Sequence, residues 1–193
     1  RPEDVGGLGL LRAYIAEEIV PSWQDADLRA RGLLMVGVAG GGKSLTAKAL
    51  GAILGCPVLS CDIGALMGGT VGSSESAMRG ALALADAVAP CVLLLDEIEK
   101  GVGGMASSAR TDSGVTLRMV GALLTWMQEH TSAVLVVATC NDYSALPPEL
   151  TRAGRFDERF FVDLPTAAER RDIAALPLRR CCPALSEAAP LEP

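Results

Sequence analysis

A single histidine stands among the 193 residues, and the cysteines do not recur at the paired spacings of a zinc site, so a structural zinc centre is excluded. Basic residues are outnumbered, 17 Lys and Arg against 23 Asp and Glu, for a net charge of −6. That balance offers no electrostatic footprint for nucleic acid or for an anionic membrane surface. No apolar run reaches the roughly 18 residues that a spanning helix requires, and the opening residues lack a signal-peptide pattern. A disulfide framework is missing too. Cys56, Cys61, Cys91 and Cys140 lie in or beside apolar runs, where a small thiol packs well, and Cys181 and Cys182 are adjacent. Thiols of this kind belong to a reducing, cytoplasmic setting. The first residue is Arg1 rather than Met, which marks the chain as a piece of a longer product.

What is present is a core and a phosphate cradle. Half of the residues are apolar and 21% are charged, enough to bury one domain of this length. Gly37-Val38-Ala39-Gly40-Gly41-Gly42-Lys43-Ser44 has the form G-x-x-x-x-G-K-S. It follows the apolar run Leu33–Val36 and precedes a helical stretch from Leu45 to Leu50, the strand–loop–helix context in which such a loop binds polyphosphate. Glycines allow the backbone N–H groups to turn inward beside the helix N-terminus. Lys43 is then placed to reach the β- and γ-phosphates, and the Ser44 hydroxyl to ligate Mg²⁺.

Alternating strand and helix signals surround this loop. Leu10 to Val20 carries an amphipathic pattern expected to end before Pro21. Val58–Cys61 reads as a second strand, and Ser74 is placed to cap a helix reaching about Val88. Cys91–Leu95 and Ala133–Thr139 are apolar on both faces, as strands inside a parallel sheet are. Residues 101–114 have no core pattern and read as a mobile loop. Met119, Val120, Leu123, Leu124 and Met127 fall on one helical face, and Phe160–Asp163 supplies a fifth strand. The expected architecture is α/β, a three-layer αβα P-loop domain around a parallel five-stranded sheet. His130 reads as a solvent-facing residue at a helix end.

Three further groups carry chemistry. Asp96-Glu97 directly follows the buried strand Cys91–Leu95, and the C-terminal ends of parallel strands are where α/β sheets place ligands. Asp96 is the candidate for the Mg²⁺ shell, and Glu97 for orienting and deprotonating an attacking water. Asn141 ends another strand, where an amide either caps a turn or positions that water. Arg152 and Arg155 either neutralise nearby carboxylates or reach a neighbouring subunit's γ-phosphate as arginine fingers.

In order and spacing, these motifs resemble the AAA family of ATPases over roughly residues 2–171. Val5-Gly6-Gly7-Leu8 resembles the family's opening segment near the adenine. Leu94-Leu95-Asp96-Glu97 is similar to its Walker B motif, Asn141 to its sensor 1, and Leu146–Asp157 to its second region of homology. Gly68–Ser76 and Leu124–Glu129 resemble a branch known from chloroplast and cyanobacterial open reading frames. The resemblance implies ATP hydrolysis with Mg²⁺, a ring oligomer, usually a hexamer, and remodelling of a protein partner. It places Val5, Gly6, Gly37, Ala39, Gly40, Gly41, Gly42, Lys43, Ser44 and Leu45 on the nucleotide, Ser44 and Asp96 on the metal, and Glu97, Asn141, Arg152 and Arg155 at the reaction.

Departures from the family qualify the expectation. Gly41 stands where Thr or Ser is usual, and Gly69–Gly72 lacks the pore aromatic that grips a substrate. The ATPase unit is expected to occupy residues 1–175. A proline-rich irregular tail is expected over 176–193 in place of the family's helical lid. The competing reading is a truncated, non-catalytic nucleotide-binding or interaction module. A GTPase is disfavoured, since no Asn-Lys-x-Asp guanine reader occurs.

Overall fold

The computed structural model describes residues 8–67, 73–102, 113–152 and 154–181. Five strands form one sheet: β1 (Gly32–Gly37), β2 (Val58–Asp62), β3 (Cys91–Asp96), β4 (Val134–Cys140) and β5 (Glu158–Val162). All pairings are parallel and the spatial order is β2-β3-β4-β1-β5. The chain leaves β1, crosses to the far edge, steps back through β3 and β4, and passes over β1 to reach β5. The ends of β3, β4 and β1 therefore lie side by side, and the residues after each are delivered to one edge of the sheet.

Alternation along the strands divides the core into two layers. Leu33 and Met35 of β1, Val92 and Leu94 of β3, and Leu135 and Val137 of β4 face one side. There they meet Leu11, Ile15 and Ile19 from the first helical segment, and Ala47 and Leu50 of α2 (Lys43–Leu54). Leu34, Leu93, Leu95, Val136 and Ala138 face the other side. They pack on α4 (Ser73–Val88), α5 (Ile98–Val102) and α6 (Ser113–Glu129). The inner strands β3 and β4 are covered on both faces, which is why they read as unbroken apolar runs. The remaining elements are α1 (Gly9–Tyr14), α3 (Ile63–Met67), α7 (Pro148–Thr151) and α8 (Ala167–Cys181).

Local rules were overridden at several places. The first helix was expected to stop before Pro21, yet α1 runs into a π turn, Ile15–Ile19, and then a last helical turn, Val20–Ser22. The π turn widens the spiral ahead of the pyrrolidine ring and eases its clash with the preceding turn. Helix α8 likewise passes Pro177, so 176–181 are helical rather than irregular; residues 182–193 lie outside the described residues. The missing N–H leaves the carbonyl of Ile173 without its helical donor, on a residue that is exposed. A capping box starts α8: Glu169 accepts from the Thr166 N–H, and its own N–H donates to Thr166 Oγ1. The loop expected over 101–114 is helical at both ends, in α5 and α6, and its middle lies outside the described residues. His130 is half-buried, its ring stacked on Trp126 at 4.1 Å.

Cys91 and Cys140 are fully buried free thiols. Burial first of all pushes them up, Cys91 to about 11 and Cys140 to about 12, the latter assisted by the neighbouring Glu99 carboxylate. Below pH 9 folded and unfolded chains both keep these protons. Above it the unfolded chain releases them first, so stability falls from pH 9 towards about 12. Denaturant midpoints measured across this range should drop steeply, and Cys140→Ala should flatten the slope.

Candidate functional site

The loop between β1 and α2 is shaped by its contact with β5. A Cβ at Gly37, where φ is 151°, would collide with the carbonyl of Val162. A Cβ at Gly41 would sit 3.0 Å from Val162 Cγ1, so a larger residue there would require that side chain to shift by a few tenths of an ångström. Gly42, at φ 88°, precedes α2 in the left-handed conformation. The first turn of α2 leaves its N–H groups without intrahelical acceptors and carries the positive end of the helix dipole. The glycine loop expected from the sequence thus leads directly into a helix N-terminus.

Lys43 is folded back into this cradle and is only 6% exposed. Its ammonium donates to the carbonyls of Gly37 and Val38, both at 2.7 Å, and to Asn141 Oδ1 at 2.9 Å. Desolvation pulls its pKa below the ordinary lysine value, opposed by the nearby carboxylates, Glu99 foremost. Ser44 Oγ donates to Asp96 Oδ1 at 2.8 Å, so the first turn of α2 and the end of β3 meet through hard oxygen donors. A hydroxyl and a carboxylate suit Mg²⁺, which completes its shell with phosphate and water. Groups of three or more His, Cys, Asp or Glu side chains able to hold a metal are absent among the described residues.

Thr139 ties the second half together. Buried at 1% exposure in an otherwise apolar strand, it donates to Asp96 Oδ1 at 2.5 Å and accepts from the Glu97 N–H at 2.9 Å. Glu97 adopts φ 51°, a left-handed conformation unusual for a residue with a side chain and a form of strain that clusters at functional sites. Its carboxylate accepts from Asn141 Nδ2 at 3.2 Å and pairs with Lys100. Asn141 also donates to Glu99 Oε1, from its N–H at 3.1 Å and from Nδ2 at 2.8 Å. Lys43, Ser44, Asp96, Glu97 and Asn141 thus form one connected network. Sequence reasoning missed Thr139 and Glu99; a polar residue inside an apolar strand and an acid two positions after Glu97 were the available signals.

The other expected residues are distributed differently. Val5 and Gly6 lie outside the described residues, as does the pore segment 69–72. Ala39, Gly40 and Leu45 lie on the loop and the first turn of α2. Gly40 and Leu45 border a cleft of about 770 Å³, walled mainly by Leu8, Leu11, Phe161 and Ile173. That apolar space beside the phosphate cradle suits a flat heterocycle. Arg152 is exposed, and Arg155 is half-buried with a long 3.5 Å hydrogen bond to the Leu124 carbonyl. Among the described residues, neither makes a hydrogen bond or ion pair with the network around Lys43. A second cleft, about 580 Å³ between α4 and α6, lies away from this chemistry and is bridged by Arg118–Glu75 and Trp126–Asp86 contacts.

Comparison with known proteins agrees with this geometry. Residues 33–164 match the family described as "ATPase family associated with various cellular activities (AAA)". The chain is 41% identical over 184 residues to the "uncharacterized AAA domain-containing protein ycf46" of Guillardia theta, covering 93% of this chain and 36% of that protein. Its counterpart in Pyropia yezoensis is 42% identical over 185 residues, 93% of this chain and 37% of that protein. Human "peroxisomal ATPase PEX6" is 36% identical over 166 residues, covering 82% and 17% respectively. The chain thus spans little more than a third of the length of the two algal relatives.

Proposed function

This chain belongs to the AAA family of ATPases, and from that premise we propose that it binds ATP with Mg²⁺ and hydrolyses it, as one protomer of a ring that remodels a protein partner. The observation that carries the reading is the hydrogen-bonded network joining Lys43, Asn141, Glu97, Asp96 and Ser44 across three adjacent strand ends. In this reading the loop and the N-terminus of α2 receive the phosphates, and Lys43 exchanges its loop carbonyls for phosphate oxygens. Ser44 and Asp96 would hold Mg²⁺, which neutralises charge developing on the phosphates. Glu97 accepts the proton of the attacking water, and Asn141 orients that water. Arg152 and Arg155, which make no hydrogen bond or ion pair with that network among the described residues, act on the site of the next protomer. The cleft lined by Leu8, Leu45 and Phe161 takes the base. The setting is cytoplasmic, in keeping with free, mostly buried cysteines; no helix of the described residues is long and apolar enough to cross a membrane.

Glu97→Gln is expected to reduce turnover by about 100-fold or more, the range for a lost general base, while ATP binding persists. Phosphate release, measured against protein concentration, tests the assignment. Turnover that rises steeply with concentration and vanishes in the variant supports it. Absence of turnover at high concentration, with ATP binding intact in the parent chain, would instead make the chain a nucleotide-binding module.

A further inference from the structure

Asn141 is held from two sides by partners that leave it one orientation. An ionised carboxylate only accepts hydrogen bonds and an ammonium only donates them. Nδ2 must therefore face Glu97 Oε1 and Glu99 Oε1, and Oδ1 must face Lys43 Nζ. The amide's two ends are nearly the same shape, so chemistry and not packing fixes which end points at the phosphates.

The left-handed turn at Glu97 makes this double contact possible. It swings α5 so that carboxylates two residues apart both return to Asn141. Of the two, Glu99 makes the closer contact, and it alone also binds the Asn141 backbone. Its second oxygen, Oε2, is buried without a hydrogen-bond partner among the described residues. A buried unpaired carboxylate oxygen is costly, and in the free site that cost is offset by attraction to the buried Lys43 ammonium, the group that phosphates draw away.

We propose that Glu99 is a positioning residue for hydrolysis, which holds the Asn141 amide with its oxygen forward so that it accepts a hydrogen bond from the attacking water. The proposal rests on the hydrolytic reading above. Once phosphates draw Lys43 away, Oδ1 loses its anchor, and an anionic γ-phosphate pulls the NH₂ end forward. Glu97 is then committed to the water. Glu99 is the one group left that resists the flip, through bonds to both the backbone and the side chain of the same residue.

The test compares the 193-residue chain with its Glu99→Met, Glu99→Gln, Asn141→Ala and Glu99→Met/Asn141→Ala variants. Glu99→Met removes both acceptor oxygens and should lower kcat by about 10- to 100-fold, the penalty for a misplaced reacting group, with the Kd for ATP unchanged. Glu99→Gln keeps an oxygen that accepts from the Asn141 N–H and Nδ2 and should recover most of that loss. The double variant should be no slower than Asn141→Ala alone. Wild-type kcat in Glu99→Met, or losses that multiply in the double variant, would overturn the assignment. A readout independent of turnover is the NMR signal of the Asn141 side-chain amide, expected to be protected from exchange and to lose that protection in Glu99→Met. Should the parent chain prove inactive, the hydrolytic reading fails, while unchanged amide protection in Glu99→Met overturns the anchoring itself.

Discussion

Lys43→Met is expected to weaken ATP binding by about a thousand-fold, the largest single loss at the nucleotide site. The ammonium offers two charge-assisted bonds to phosphate oxygens, each contributing about 1.5–3 kcal/mol, and every 1.4 kcal/mol is tenfold in affinity. Methionine keeps the stem that threads the loop and removes only the donors. The ligand-free protein should tolerate the change better than the binding loss suggests. Three acceptors lose their donor, but desolvation already opposes the buried charge and holds its pKa below 10.5. That lowered pKa has a signed consequence. Between it and 10.5 the folded chain holds fewer protons than the unfolded one, so this lysine makes stability rise with pH, and Lys43→Met removes the rise. Isothermal titration with ATP and Mg²⁺, set beside thermal midpoints without nucleotide, separates the two effects. Wild-type affinity in the variant would show that the ammonium never leaves its loop carbonyls.

The same buried lysine shows what the sequence made legible and what it did not. Lys43 was readable from the form of its glycine loop, and Asp96 and Asn141 because each follows an apolar run, where a polar group at the end of a buried strand has few reasons to be there. Their convergence needed the order β2-β3-β4-β1-β5, which no local pattern encodes. Thr139 and Glu99 stayed hidden because their partners lie more than forty residues away in sequence, aligned only by sheet register. Threonine fits a strand on propensity alone, and Glu99 passes for a solvated helix residue. Helices continuing past Pro21 and Pro177 show the opposite failure, in which a strong local signal was overruled, at Pro21 beside a π turn.

Arg152→Ala is expected to cut turnover by about a thousand-fold or more without moving the thermal midpoint, whereas Arg155→Ala should also destabilise the chain. Removing an arginine finger costs this much because it stabilises charge on the transferring phosphoryl group. The two arginines are held differently. Arg152 follows the last turn of α7 in an extended conformation, with its side chain exposed. Arg155 leans on the Leu124 carbonyl, next to Phe156, which is buried in the core, and Asp157, whose carboxylate accepts from the N–H groups of Arg31 and Gly32. That stapling to β1 gives the segment a fixed base from which Arg152 projects. If each active site is shared between protomers, two inactive chains should rescue one another. An equal mixture of Arg152→Ala and Glu97→Gln places an intact Glu97 opposite an intact Arg152 at about one interface in four, so turnover returns to roughly a quarter of wild type. Complementation of this kind requires the finger to act across a subunit boundary. If the mixture stays inactive, or if Arg152→Ala alone retains wild-type turnover, the trans assignment of Arg152 is wrong.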